Sequence, residues 1–292
     1  MIHIVKFLLW MLSRFPAGMP WWLSGKLAGF WSRISPTKRH VAERNLERCY
    51  PEMDADERAR IVHESFRHYL CTVLESGRNW YWSAERLRSL CDGIVNEHLL
   101  LGGLATGRGV LVLAPHFGAW EYLGIYLQKF EEIAILYKPP AHQGLNDALL
   151  AKRSRDGANM IPATASGLRH LYAHIRAGKG AGVLPDQQPK RGKGQFAPFF
   201  GIPALTGVLV PRLVQRTNCV VYACVCERIS GGRYQVHALP VDDSIHSDDL
   251  VTSLTAMNKA VEDSIAVNVP QFLWSYRRFR ARPEGEPRFY SD

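Results

Sequence analysis

The residues of this chain whose types and spacing suit chemistry are a histidine and a glutamate five positions apart, His116 and Glu121. On a regular helix a five-residue step turns a side chain by about 140°, and on a strand it sends the two side chains to opposite faces. The pair can therefore meet only across a turn. Pro115 and Gly118 favour such a turn, and Trp120 is predicted to begin the following helix.

A histidine paired with a carboxylate is suited to general-base catalysis. A carboxylate bonded to one imidazole nitrogen fixes the tautomer and raises the basicity of the other nitrogen. We therefore interpret His116 as a base that activates a hydroxyl, with Glu121 orienting its ring. Backbone amides near Gly118 and Ala119 are candidates for binding an oxyanion. The spacing alone also arises by chance, and a metal site is disfavoured because no further ligands lie at a supporting spacing.

The elements that must position this pair follow an α/β pattern. The apolar run 109–114 directly precedes the pair and is typical of a buried strand, and further strands are predicted over 133–137 and 181–185. Strands alternating with helices predict a mostly parallel or mixed central sheet flanked by helices. Ligands bind beyond the carboxyl ends of such strands, where Asp186 and Gln187 also lie.

Periodicity and turn signals predict the remaining elements. A turn is expected around Asp92. Ser166 is expected to cap the N-terminus of a helix over 166–177. The other predicted elements are an amphipathic helix from Asp54, helices over 97–106, 144–155, 166–177 and 248–267, and a hairpin of 219–228 with 233–239.

Composition limits the class of protein. The chain has 292 residues and a formal charge of +9, concentrated in residues 1–50 and 138–193. Two such blocks suit anionic partners such as a lipid leaflet, a phosphorylated substrate, an acidic carrier protein or nucleic acid. The six cysteines are scattered without a CxxC pair, which indicates reduced thiols rather than a disulfide or metal framework.

The N-terminal segment is apolar, basic and rich in tryptophan. Its apolar stretches are interrupted by Lys, Arg and Pro, so no unbroken membrane span is present. Tryptophan interleaved with cations favours a position at the lipid headgroups, although a helical cap packed on the core and a short tilted span are alternatives. We predict a membrane-associating helical segment over residues 1–45 and a catalytic domain over 46–292.

Several motifs, in order along the chain, resemble one enzyme family. The string from Pro115 to Glu121 resembles the HxxxxE motif of the lipid A late (lauroyl/myristoyl) acyltransferases, a branch of the glycerolipid acyltransferase superfamily. Further similar features span roughly residues 95–282. They are Tyr137-Lys138-Pro139 with Asn146 and Arg153, Gly157 with Ile161-Pro162, Leu184 to Gln188 with Lys193-Gly194, Pro198 to Gly201 with Thr206, and Trp274 to Phe279.

The resemblance implies a reaction, its partners and its location. The enzyme would move a fatty acyl group from acyl carrier protein, its co-substrate, to a hydroxyl of a lipid A precursor, without a cofactor or a metal. It would act at the cytoplasmic face of a bacterial inner membrane, in contact with anionic lipid and not with nucleic acid. By the same resemblance, Gly118, Arg153, Asp186 and Gln187 would bind substrate or line the site.

The chain departs from the family pattern at two places. It has Ala119 where the family commonly has Asn, and Gln271 where the family commonly has Glu. An altered acceptor or chain-length preference is therefore open. Two other functions also stay open: acylation of a different membrane acceptor, such as a lysophospholipid or another glycolipid, and a non-catalytic role as a membrane-surface protein.

Overall fold

A computed structural model gives the fold. It describes residues 2–130, 133–139, 144, 146, 147, 150, 151, 159–190 and 192–291. Most of the predicted helix over 144–155 lies outside the described residues. Arg153, which belongs to that part, is also outside them. Helices α1 to α10 of the described part cover Ile2–Ser13, Met19–Ile34, Pro36–Cys49, Ala55–Tyr81, Ala84–Arg88, Glu97–Ala105, Trp120–Tyr126, Ala165–Arg176, Leu209–Thr217 and Leu250–Ala266.

The strands form one large mixed sheet and one small hairpin. Strands β1 to β9 cover Cys91–Val95, Val110–Leu113, Ile133–Tyr137, Met160–Pro162, Gly180–Val183, Gly194–Phe199, Ile202–Gly207, Val220–Arg228 and Tyr234–Pro240. The large sheet has the order β1-β9-β8-β2-β5-β3-β4. All its neighbours are parallel except β8 with β9. The predicted α/β fold with a mostly parallel mixed sheet is therefore confirmed.

The central strand β2 explains how the core divides into two layers. Successive side chains of a strand point to opposite faces of the sheet. Leu111 and Leu113 pack against α8, α9 and α10, whereas Val110 and Val112 pack against α6 and α7. All four side chains are fully buried. The apolar run predicted this burial, because a strand covered on both faces has no polar alternation.

Most predicted elements occur within two residues of their expected bounds. Helix α4 begins as expected after Asp54, and the Asp54 carboxylate accepts a hydrogen bond from the Glu57 amide. Two local predictions were wrong or incomplete, and some elements were not predicted. The residues around Asp92 form β1 rather than a turn alone, because they pair with β9. The cap of α8 is Thr164, whose hydroxyl accepts from the Gly167 amide. The hairpin β6–β7 and helix α9 were not predicted.

The N-terminal helices α1 and α2 pack on the long helix α4, and many of their apolar side chains face outward. Trp22 and Phe30 are 60% and 61% exposed, whereas Trp21 packs against His68 and Arg67 of α4. Among the described residues, no helix combines the length and the apolar character that crossing a bilayer requires. The domain boundary after residue 45 falls within α3 and stays a prediction.

Candidate active site

The register of two parallel strands brings His116 and Asp186 together. Leu113 of β2 is paired with Val183 of β5. His116 and Asp186 each lie three residues beyond these partners, and a proline precedes each of them. Because neighbouring parallel strands end at the same edge of the sheet, the two side chains meet there although 70 positions separate them.

Both ring nitrogens of His116 have hydrogen-bond partners. Nδ1 lies 2.9 Å from Oδ1 of Asp186, and the backbone amide of His116 donates to Oδ2 of the same carboxylate at 3.1 Å. Nε2 lies 3.2 Å from the side-chain nitrogen of Gln187. Because the ionised Asp186 carboxylate only accepts, Nδ1 of the neutral ring carries the proton and Nε2 accepts from the Gln187 side chain. This tautomer leaves the basic lone pair on Nε2.

The charges around His116 favour its protonated form. Burial alone would lower the pKa of the imidazole, but the charge and the hydrogen bond of Asp186, together with the charge of Glu121, outweigh burial and raise the pKa of His116 above its ordinary value. Burial would raise the pKa of Asp186, but the His116 ring and its backbone amide lower it. The pair therefore consists of a strengthened base beside an ionised carboxylate.

The orienting carboxylate differs from the one that the sequence predicted. Glu121 was expected to hold the ring of His116, but the carboxylate bonded to Nδ1 is that of Asp186, which is 4% exposed. Glu121 stands on the first turn of α7, exposed at the surface, and lines the same cavity as His116. In the structure, the negative charge of Glu121 helps to raise the pKa of the His116 imidazole.

The turn that carries His116 depends on Gly118. This residue has φ of +52°, and a Cβ atom added to it would lie 2.1 Å from the backbone oxygen of Cys226. The amide of Gly118 donates to the backbone oxygen of Gln271 at 2.9 Å, and the amide of Ala119 donates to that of Cys226 at 2.8 Å. The expectation that these two amides receive an oxyanion is therefore wrong, because both already have acceptors.

A buried ionic network supports this turn from α4. Glu75 is 3% exposed and lies 2.8 Å from guanidinium nitrogens of both Arg78 and Arg228. Burial would raise the pKa of Glu75, but the two arginines outweigh it and lower the pKa to about 2. Thr72, one turn before Glu75, places its hydroxyl 3.5 Å from the backbone oxygen of Gly118. The network therefore joins α4 to the turn.

The neutral amide of Gln271 accounts for one departure from the family pattern. Its oxygen accepts from the Arg228 backbone amide at 2.9 Å, and its nitrogen donates to the Arg228 backbone oxygen at the same distance. A carboxylate at this buried position would lack the donor that the second bond needs. Gln271 therefore suits this chain's own packing.

The site opens into a cavity of about 820 Å³. The rings of His116 and Trp120 lie 5.4 Å apart at this cavity. Other polar and charged residues also line it, namely Thr72, Ser76, Asn79, Glu121, Gln128, Lys138 and Gln187. The remaining lining is mostly apolar and includes Leu123, Ile135, Leu136, Leu209, Val210 and Met257. A cavity of this size with a mostly apolar lining suits an apolar chain whose reacting group lies beside His116.

The structure also brings in site residues that sequence reasoning missed. Asp186 was placed at the site, but its bond to His116 was not predicted, although the repeated arrangement of strand, proline and polar residue is a signal for it. Tyr69 and Thr72 of α4 line the cavity, and no local motif indicated them. Among the described residues, no cluster of three or more His, Cys, Asp or Glu side chains is placed to hold a metal ion.

A base on a mostly apolar cavity at the strand ends of an α/β sheet suits an enzyme that acts on a substrate with an apolar chain. The family model described as bacterial lipid A biosynthesis acyltransferase matches residues 1–281. The chain belongs to this family, and it is an acyltransferase of lipid A biosynthesis.

Three curated relatives illustrate the similarity. The lipid A biosynthesis palmitoleoyltransferase of Escherichia coli (strain K12) is 26% identical over 97% of this chain and 92% of its own length. The lipid A biosynthesis lauroyltransferase of the same organism is 27% identical over the same shares. A lipid A biosynthesis acyltransferase of Haemophilus influenzae is 27% identical over 86% of this chain and 80% of its own length.

Proposed function

We propose that this enzyme transfers a fatty acyl group from the thioester of acyl carrier protein to a hydroxyl of a lipid A precursor, with His116 as the general base. The observation that carries the proposal is that His116 lines a mostly apolar cavity with its Nε2 atom free of the Asp186 carboxylate, which bonds Nδ1 and fixes the tautomer. Relatives named as lauroyl and palmitoleoyl transferases support a fatty acyl donor.

In the proposed step, Nε2 takes the proton of the acceptor hydroxyl while the hydroxyl oxygen attacks the thioester carbonyl carbon. The C–S bond then breaks, the imidazolium returns the proton to the leaving thiolate, and the products are an ester and a free thiol. Asp186 holds the ring and stabilises the imidazolium between these events. The exposed Gln187 side chain, which now donates to Nε2, must yield this position to the hydroxyl.

Two further residues complete the proposed site. Glu121 adds negative charge that favours the imidazolium during transfer. Arg153 is outside the described residues, and its role rests on the family resemblance alone. Its fork of donors suits a phosphate of the acceptor or of the carrier's prosthetic group. The reaction is proposed to need no cofactor beyond the acyl carrier co-substrate, so a chelator should leave the rate unchanged.

We propose that the enzyme works at the cytoplasmic face of the inner membrane, bound through its N-terminal helices to anionic lipid. Exposed apolar side chains on α1 and α2, among them Phe7, Trp22 and Phe30, support this. Residues 1–50 carry eight Lys and Arg against two Glu. Apolar side chains that enter the headgroup region and cations that attract anionic lipid act together in such binding.

The function is tested by incubating the enzyme with a panel of acyl carrier protein thioesters and lipid A precursors and weighing the products. The expected product carries one additional acyl chain. The variant His116→Ala should lose at least about 100-fold in kcat, whereas the control His170→Ala, an exposed histidine of α8, should not. Absence of an acylated lipid A precursor with every pair would overturn the proposal, and acylation of a lysophospholipid instead would favour the other acceptor class.

A further inference from the structure

A second cavity lies beside the active site, on the other side of the loop that carries Gln187. Its volume is about 740 Å³. Its walls come from the first turn of α3, from the loop Gln188–Lys190 and from the C-terminal segment 275–281. We refer to this cavity as the basic cleft.

Four cations line the basic cleft: Lys38, Lys190, Arg277 and Arg280. All four side chains are exposed. In the described part of the chain, no Asp or Glu lines the cleft and none of the four cations forms an ion pair. Like charges gathered without a counter-charge repel each other, and an anion bound among them removes this cost. The cleft is therefore suited to a compact, multiply charged anion such as a phosphate group.

The wall between the cleft and the active site is short and well ordered by hydrogen bonds. Gln187 contacts His116, and the next residue, Gln188, lines the cleft. The Gln188 amide donates to the Tyr276 hydroxyl at 2.9 Å, and its side-chain oxygen accepts from the Ala281 amide at 2.8 Å. The cleft and the active site are therefore separated by the loop at Gln187 and Gln188, one residue of which contacts His116 while the next lines the cleft.

A second contact links the two cavities through α4. The ammonium group of Lys38 lies 5.0 Å from the centre of the Tyr69 ring, and Tyr69 lines the active-site cavity. Lys38 also follows shortly after Phe30 and Ile34, which end α2 and are 61% and 54% exposed. Lys38 of the cleft is therefore only four residues along the chain from the exposed end of α2, which belongs to the apolar surface proposed to enter the membrane.

We propose that the basic cleft binds a phosphate group of the glycolipid acceptor and so positions the acceptor hydroxyl at His116. This inference rests on the proposed function and adds a subsite to it. The short connection between Lys38 and the proposed membrane-binding helix α2 favours a phosphate on the lipid acceptor over the phosphate of the carrier's prosthetic group, because the acceptor is held in the membrane while the carrier approaches from solution.

The experiment measures KM for both substrates in Lys38→Gln and Arg280→Gln, with a phosphorylated lipid A precursor and with the same precursor after phosphatase treatment. We expect KM for the phosphorylated acceptor to rise about tenfold in each variant, which is the loss of one charge-assisted hydrogen bond. The penalty should be absent with the phosphatase-treated acceptor, and KM for the acyl carrier thioester should not change. Arg169→Gln, which removes an exposed cation from α8, is the matched control.

Two outcomes would overturn the inference. Equal penalties with both acceptors would mean that the cations support the structure rather than bind phosphate. A raised KM for the acyl carrier thioester, with an unchanged KM for the acceptor, would assign the cleft to the carrier instead.

A binding measurement separates the inference from the proposed function. Titration calorimetry of the two precursors in detergent micelles into His116→Ala should show tighter binding of the phosphorylated form, and the added Lys38→Gln change should reduce that difference about tenfold. If the wild-type enzyme acylates no acceptor, the proposed function fails, and this titration still decides whether the cleft binds phosphate. Equal binding of the two precursors would exclude it.

Discussion

At the scale of single residues, the arrangement of His116 is that of a base held in one tautomer. Asp186 takes the proton-bearing Nδ1, and Nε2 faces the cavity. The same carboxylate also accepts from the His116 backbone amide, so it fixes the loop and the ring together. A residue that positions the base in this way should affect both the rate and the pH at which the base works.

We predict that Asp186→Asn lowers kcat/KM by at least about 100-fold, since an amide favours the wrong tautomer of His116. The base works only when His116 is neutral. The activity of the wild type should therefore fall as the pH drops through the pKa of His116, which is raised above the ordinary value of about 6.5. Without the Asp186 charge this pKa falls, and the acid limb should move to lower pH. The measurement is kcat/KM against pH.

Asp263→Asn is the control for this prediction, because Asp263 is an exposed carboxylate of α10 paired with Lys259. It should change neither the plateau nor the acid limb. An Asp186→Asn enzyme that is folded and slow but keeps the wild-type acid limb would contradict the role of Asp186, because a purely structural defect leaves the pKa of His116 in place.

At the scale of elements, the turn between β2 and α7 is held by backbone pairing with two distant segments. Phe117 and Gly118 form isolated bridges with Phe272 and Cys226, and the Leu273 amide donates to the His116 backbone oxygen at 3.1 Å. The turn is therefore clamped between β8 and the segment after α10. Only a residue without Cβ fits at position 118.

We predict that Gly118→Ala destabilises the protein by at least about 2 kcal/mol, because it adds the cost of a positive φ to a clash with the Cys226 oxygen. The measurement is urea unfolding followed by circular dichroism. Gly102→Ala is the matched control: this helical glycine of α6 has no atom within 4 Å of an added Cβ. It should be neutral or stabilising by about 0.5–1 kcal/mol. Equal stability of the two variants would show that the turn tolerates a side chain.

At the scale of the whole molecule, the apolar N-terminal surface and the two cavities lie along connected elements. Helices α1 and α2 pack on α4, and α4 supplies Tyr69 and Thr72 to the active-site cavity. The first turn of α3, directly after α2, lines the basic cleft. The proposed lipid-binding surface, the cleft and the active-site cavity are thus built on helices that pack on one another or follow directly in the chain.

We predict that the double substitution Trp22→Ser and Phe30→Ser weakens binding to vesicles containing anionic phospholipid by at least about tenfold, since each large apolar side chain contributes roughly 1.5–3 kcal/mol when it leaves water. Vesicle co-sedimentation measures this. Leu101→Ser, which removes an exposed apolar side chain of α6, should have no effect. Unchanged binding of the double variant would exclude this surface as the anchor, and binding that is insensitive to salt would exclude the basic charge.

The sequence by itself determined the α/β fold, the strand before His116, the amphipathic helix that follows Asp54 and the turn at Gly118. These features depend on local patterns, namely apolar runs, helical periodicity and turn residues, which extend over about a dozen positions. The family resemblance also identified the reaction class from motifs in order along the chain.

Only the tertiary structure decided which groups meet. The hydrogen-bond partner of His116 is Asp186 rather than Glu121, which is nearer along the chain. The register of β2 with β5 brings two residues that are 70 positions apart into contact. The amides of Gly118 and Ala119 are already bonded to backbone oxygens of other segments. The basic cleft gathers cations from three separate stretches of chain. Each of these is a contact between distant residues, which sheet pairing and packing create and local propensity does not encode.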